Sequence, residues 1–82
     1  MPKVRVSVRL KSGVLDAQGR VVFNALRSLG YESVGDVRIG KLIEIRMNGS
    51  TPEEAKARAD EMCRKLLANP VIEDYAIEVT EE

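Results

Sequence analysis

The sequence has 82 residues and no histidine. That absence removes the side chain that titrates nearest neutrality, the commonest metal ligand, and every Ser-His or Cys-His dyad. The single cysteine, Cys63, sits mid-helix beside Met62 and next to an apolar stripe. A thiol there reads as a small hydrophobe rather than a nucleophile. One cysteine also excludes an internal disulfide and a cysteine-built metal site, and it fits a reducing compartment. Carboxylates occur as pairs at Glu53/Glu54, Asp60/Glu61 and Glu73/Asp74. The first complements a helix N-terminus. The second lies on the polar side of the same helix. The third enters a strand and reads as solvated surface, because a perturbed carboxylate needs a cleft. No G-x-G-x-x-G or Walker pattern is present.

One cluster is harder to assign to ordinary folding needs. Lys11, Gly13, Asp16, Gln18 and Gly19 crowd charged and special-geometry residues into one loop, and Arg38, Gly40 and Lys41 do the same further on. Turn chemistry accounts for Gly13, Asp16 and Gly40, with glycine supplying positive φ and aspartate capping a helix. It leaves Gly19 in a first helical turn, Gln18 and Lys41 without a reason. These eight residues are the candidate partner-binding set.

The elements that must position them follow from periodicity. Residues 3–11 alternate, with Val4, Val6, Val8 and Leu10 on one face and Lys3, Arg5, Ser7, Arg9 and Lys11 on the other, as in a half-buried antiparallel strand. Asp16 is a good N-cap for a helix reaching about Leu29. Val22, Ala25, Leu26 and Leu29 form its apolar stripe, and Gly30 is placed as the residue after its C-cap. The series Val37, Ile39, Ile43, Ile45, Met47 is interrupted by Gly40 and Lys41. A two-residue hairpin there mixes polar and apolar residues on both faces. One long strand of about eleven residues, bent or bulged near Gly40, keeps the series in phase and is the expected form. A three-residue loop is the remaining alternative. So long a strand overhangs a small domain and calls for a partner, such as the same strand in a second copy.

Thr51-Pro52-Glu53-Glu54 combines an N-cap, proline at N1 and a capping-box glutamate, opening a helix over residues 51–68. Its apolar face is Ala55, Ala59, Met62, Leu66 and Leu67. Asn69 is suited to close it in a left-handed conformation, and Pro70 stops it. The last strand is expected over Val71–Val79, with Tyr75, Ile77 and Val79 inward and Glu81-Glu82 frayed. The fold expected is α+β: a two-layer sandwich of ferredoxin-like type, with two helices on one face of an antiparallel sheet and a long bent second strand.

Length bounds the chain to a single domain, 1–82, that buries roughly 60–65% of its unfolded surface and is marginal alone. Self-association is the remaining way to enlarge its core. Lys+Arg and Asp+Glu number 13 each. Residues 1–50 nevertheless carry nine basic and four acidic side chains, and residues 51–82 four and nine. Zero net charge and few aromatics (Phe23, Tyr31, Tyr75) argue against nucleic acid, despite the basic strand face of Lys3, Arg5, Arg9 and Lys11. No apolar run approaches the roughly 18 residues of a membrane span, and no leader opens the chain, so the expected location is the cytoplasm.

Three stretches resemble the PurS family, the small subunit of phosphoribosylformylglycinamidine (FGAM) synthase. They are Leu10 to Gly19 (LKSGVLDAQG), Val37 to Glu44 (VRIGKLIE) and Met62 to Tyr75 (MCRKLLANPVIEDY). The resemblance implies a non-catalytic subunit that forms dimers or tetramers through its sheets and joins a PurL-type synthetase to a PurQ-type glutaminase. That complex converts formylglycinamide ribonucleotide, ATP and glutamine into formylglycinamidine ribonucleotide, ADP, phosphate and glutamate, in purine biosynthesis. It uses ATP and Mg, neither held by the small subunit. A second reading from another class is a ferredoxin-like dimer that senses a small metabolite at its interface.

Overall fold

A computed structural model describes residues 1–81; the expected fraying of Glu82 lies outside the described residues. Three strands form one antiparallel sheet in the order β2-β1-β3, with β1 spanning Pro2–Leu10, β2 Gly40–Arg46 and β3 Glu73–Glu81. Strict alternation places Val4, Val6 and Val8 at 0–1% exposure in the central strand. Each is worth about 1.5–3 kcal/mol of apolar burial. The registers fix their neighbours: Val6 lies between Ile43 and Ile77, Val4 between Ile45 and Val79.

Helix α2 (Pro52–Met62) covers this face over β1 and β3. It presents Ala55 and Ala59, both fully buried, and small side chains let the helix come close. Thr51 caps it as expected, its Oγ1 accepting from the Glu54 N–H at 3.2 Å. The expected helix to residue 68 is not α-helical throughout. Residues Cys63–Leu67 form one π turn, with the Ala68 N–H donating to the Cys63 carbonyl at 3.0 Å. The wider turn buries Cys63 and Ala68 and leaves Leu66, expected inward, 83% exposed.

Asn69 does not take up the expected left-handed conformation, since no non-glycine residue among those described has positive φ. Its side-chain oxygen instead accepts from the Val71 N–H, and its carbonyl from the Ile72 and Glu73 N–H groups. This Asx turn delays β3 by two residues. Tyr75, Ile77 and Val79 pack on the core as expected. Glu81, expected to fray, pairs with Pro2 and binds the N-terminal ammonium at 2.9 Å.

The second strand is not a hairpin, but neither is it the expected strand of about eleven residues: it has 7, its ladder running only from Gly40 to Arg46. Val37–Ile39 approach outside the sheet, because hydrogen bonds to the first loop hold them there, as described below.

Helix α1 (Ala17–Ser28) has the expected cap at Asp16 and closes on Gly30 at φ +100°. Its end is a Schellman pair: the Gly30 N–H donates to the Arg27 carbonyl and the Tyr31 N–H to the Leu26 carbonyl. Both helices were expected on one sheet face. Among the described residues only α2 packs there; α1 has no comparable packing on any strand. Leu29 is 73% exposed and Val21 68%. Residues 11–39 thus form an arm projecting from the end of the sheet. The radius of gyration is 16.0 Å, against about 12 Å for a compact domain of this length. Among the described residues, no helix is long and apolar enough to cross a membrane.

Candidate functional site

The first loop and the segment leading into β2 meet at the base of the arm. Asp16 is the pivot. Its carboxylate accepts from the Gly19 N–H at 2.9 Å, as an N-cap should, and from the Ile39 N–H at 2.6 Å. The Ile39 bond first, and then the Gly19 bond, hold this carboxyl below its ordinary pKa, with Arg38 adding a smaller favourable charge. Two donors to the ionised form stabilise it over the neutral acid.

Arg38 fastens the same junction from the other side. Its guanidinium donates to the Leu10 carbonyl at 2.9 Å and the Lys11 carbonyl at 3.1 Å, where β1 ends. Gly19 is buried because the Val37 carbonyl passes directly over it; a methyl group there would overlap that oxygen. Gly40 serves the same purpose at the sheet, where a Cβ would come within 2.5 Å of the Val8 carbonyl oxygen. Neither glycine has positive φ, and nor does Gly13. The turn-chemistry reading therefore holds for Asp16; Gly13 does sit in a turn, closed by the Val14 N–H donating to the Lys11 carbonyl at 2.9 Å, but neither it nor Gly40 supplies a positive φ. A Cβ on Gly13 would meet open space, and nothing in the structure explains that glycine.

The structure thus brings Asp16, Gly19, Arg38 and the Lys11 backbone into one bonded junction. The Lys11 side chain turns away to an ion pair with Asp74 at 2.6 Å. Gln18 and Lys41 are exposed and line a shared hollow of ≈ 240 Å³, with Arg9 and Glu73 among its walls. Gly13 lines a different hollow of ≈ 370 Å³, beside Ser12, Arg20 and Arg38. Sequence reasoning missed Ile39 as a backbone donor, Asp74 as the Lys11 partner, and Phe23, whose ring carries the Arg20 and Arg27 guanidiniums at 5.8 and 5.7 Å. The spacing of Arg20, Phe23 and Arg27 on one helix face was the available signal for the last.

The sheet face opposite α2 carries the basic residues of β1. Glu44 binds both Lys3, at 3.1 Å, and Arg5, at 3.0 Å. The Lys3 and then the Arg5 hydrogen bond keep its carboxyl below the ordinary range. On the helical side, burial and then the Asp60 charge push the Cys63 thiol up. Among the described residues no group of three or more Asp, Glu or Cys side chains is placed to hold a metal ion.

The model of the family described as "PurS: Phosphoribosylformylglycinamidine (FGAM) synthase" matches residues 3–81. The chain belongs to the PurS family. The Bacillus subtilis phosphoribosylformylglycinamidine synthase subunit PurS is 52% identical over 99% of this chain and 95% of its own. Among solved structures, Methanocaldococcus jannaschii PurS superposes with a TM-score of 0.90 at 45% identity, covering 100% of this chain and 99% of that one. A chain of the PurLQS structure from Thermotoga maritima gives 0.87 at 29% identity, covering 96% of each. This PurS-family chain is therefore a phosphoribosylformylglycinamidine synthase subunit by family. The junction of Asp16, Gly19 and Arg38 lies within two of the three stretches that carried the resemblance.

Proposed function

We infer that this chain is the non-catalytic accessory subunit of phosphoribosylformylglycinamidine synthase in purine biosynthesis. On this reading it holds a PurL-type synthetase and a PurQ-type glutaminase in fixed relation, so that ammonia released by one is used by the other. The observation that carries the reading is the match, over nearly the whole chain, to a subunit of the T. maritima PurLQS assembly. ATP and Mg belong to the synthetase subunit in this account. The eight residues of the candidate set are contact residues and their supports, with Lys11, Gln18 and Lys41 facing partners. The test is co-purification with a glutaminase and a synthetase from the same cell, with and without glutamine and nucleotide. A Lys11→Ala/Lys41→Ala variant should lose assembly on a sizing column; unchanged assembly contradicts the assignment of those two residues.

Self-association is part of the same reading. The chain exposes 5876 Å², roughly 1,000 Å² more than the ~4,900 Å² expected of a folded monomer of its mass. A standard interface takes about 800 Å² from each partner. The apolar helix face of the arm is uncovered, with Leu29 and Val21 exposed. Among the described residues α2 lies chiefly over β1 and β3, so the helix side of β2, with Ile43 and Ile45, is only partly covered. Two such surfaces on one chain are complementary between copies, as in a reciprocal exchange of elements. Sedimentation at micromolar concentration should give at least a dimer.

A further inference from the structure

The outward position of α1 needs a cause, because its apolar face and the partly covered side of β2 belong to the same chain. Burying Leu29 and Val22 against Ile43 and Ile45 would remove apolar surface from water in a monomer, without any loss of translational freedom. The loop of residues 11–16 and the segment 35–39 are the two chains at the base of the arm. They are clamped together. Asp16 bonds to Ile39 and Gly19, Arg38 bonds to Leu10 and Lys11, and the Val37 carbonyl rests on the bare Gly19 backbone. These contacts join the end of β1, the first turn of α1 and the entry to β2.

We propose that this clamp is a positioning device that holds α1 off its own sheet and so commits the chain to association with a second copy. The proposal rests on the self-association reading above and deepens it. Asp16 and Arg38 act through α1 rather than by touching the partner. Once the clamp is cut, the arm samples inward positions, and association is weakened by the fraction of time spent there. An arm outward for about a tenth of the time weakens a reciprocal two-arm dimer on the order of a hundredfold.

The test compares the full chain with Arg38→Met, Asp16→Ala and the double variant. The dimer dissociation constant is measured by sedimentation equilibrium. The distance from α1 to α2 within one chain is measured between spin labels at Ser28 and Lys56, on a Cys63→Ala background, with labelled chain diluted into unlabelled. Circular dichroism confirms folding. If Asp16→Ala does not fold, Arg38→Met alone decides, since it leaves the helix cap in place. The expected result is weaker association together with a broadened or shortened label distance, and the larger change in the double variant. An unclamped chain that associates as tightly as the original, or one that associates less tightly at an unchanged distance, overturns the clamp. A parent chain that is monomeric at 100 µM, a concentration of about the scale at which weak complexes form, overturns the self-association reading instead.

Discussion

The Asp16 carboxylate lies 2.6 Å from the backbone N–H of Ile39, 23 residues further along the chain. One oxygen caps a helix and the other holds the approach to a strand, so a residue legible as an N-cap is also the link between two family motifs. The bond explains why the second strand starts at Gly40 and why Val37 and Ile39, in phase with the strand, stay outside it.

That link makes stability sensitive to acid. The Asp16 carboxyl is held below its ordinary value of 3.8 by its bonds to Ile39 and Gly19. A folded-state pKa below the unfolded one gives stabilisation that is complete above the unfolded value and is lost as pH falls through the folded one. Glu44, held below 4.5 by Lys3 and Arg5, acts in the same direction. Melting temperatures between pH 2.5 and 7, at fixed protein concentration, should fall steeply below about pH 4. Asp16→Asn should make that limb shallower. An unchanged acid limb in the variant contradicts the assignment.

The three glycines of the candidate set should separate on substitution. Gly19→Ala and Gly40→Ala drive a methyl into a backbone carbonyl oxygen. Each should cost about 1–3 kcal/mol in urea unfolding, the range for overpacking. Gly13→Ala meets open space and should stay within about 0.5 kcal/mol of the parent. Equal effects at all three positions contradict the close-approach account.

Thr51→Ala removes the acceptor for the Glu54 N–H and the bond from Thr51 Oγ1 to the Glu54 carboxylate. A lost N-cap costs about 1 kcal/mol. Denaturant unfolding should show that loss with an unchanged m-value. Because α2 covers the core of β1 and β3, the loss should appear in global unfolding rather than as local fraying.

Cys63 is fully buried and its thiol is raised by burial and by Asp60. A thiol reagent at pH 8 should label it only at the rate of unfolding, and denaturant should make labelling immediate. Fast labelling of the folded chain contradicts its role as a core residue.

The core was legible because it is local in pattern. Alternation of valines in β1, the N-cap at Thr51 and the Schellman glycine at Gly30 each follow from neighbours in sequence. Two things were not legible, for one reason. The clamp from Arg38 to Leu10 and the standing-off of α1 depend on contacts between distant segments. An apolar helix stripe announces burial but not the chain against which it is buried. Gly19 was noticed as anomalous from its position alone; its cause, the Val37 carbonyl, is 18 residues away. Gln18 and Lys41 stay as exposed side chains around one hollow, which fits contact with a partner.

The claim beneath all of this is that the chain supplies contact surface and no reactive group. Its most direct measure is reconstitution: glutamine-dependent formation of formylglycinamidine ribonucleotide by a purified glutaminase and synthetase, titrated with this chain. The account predicts no turnover by the chain alone, and a rise in glutamine-dependent turnover that saturates at a fixed ratio as the three proteins come to elute together. Turnover by the chain alone, or full glutamine-dependent activity of the other two without it, contradicts the account.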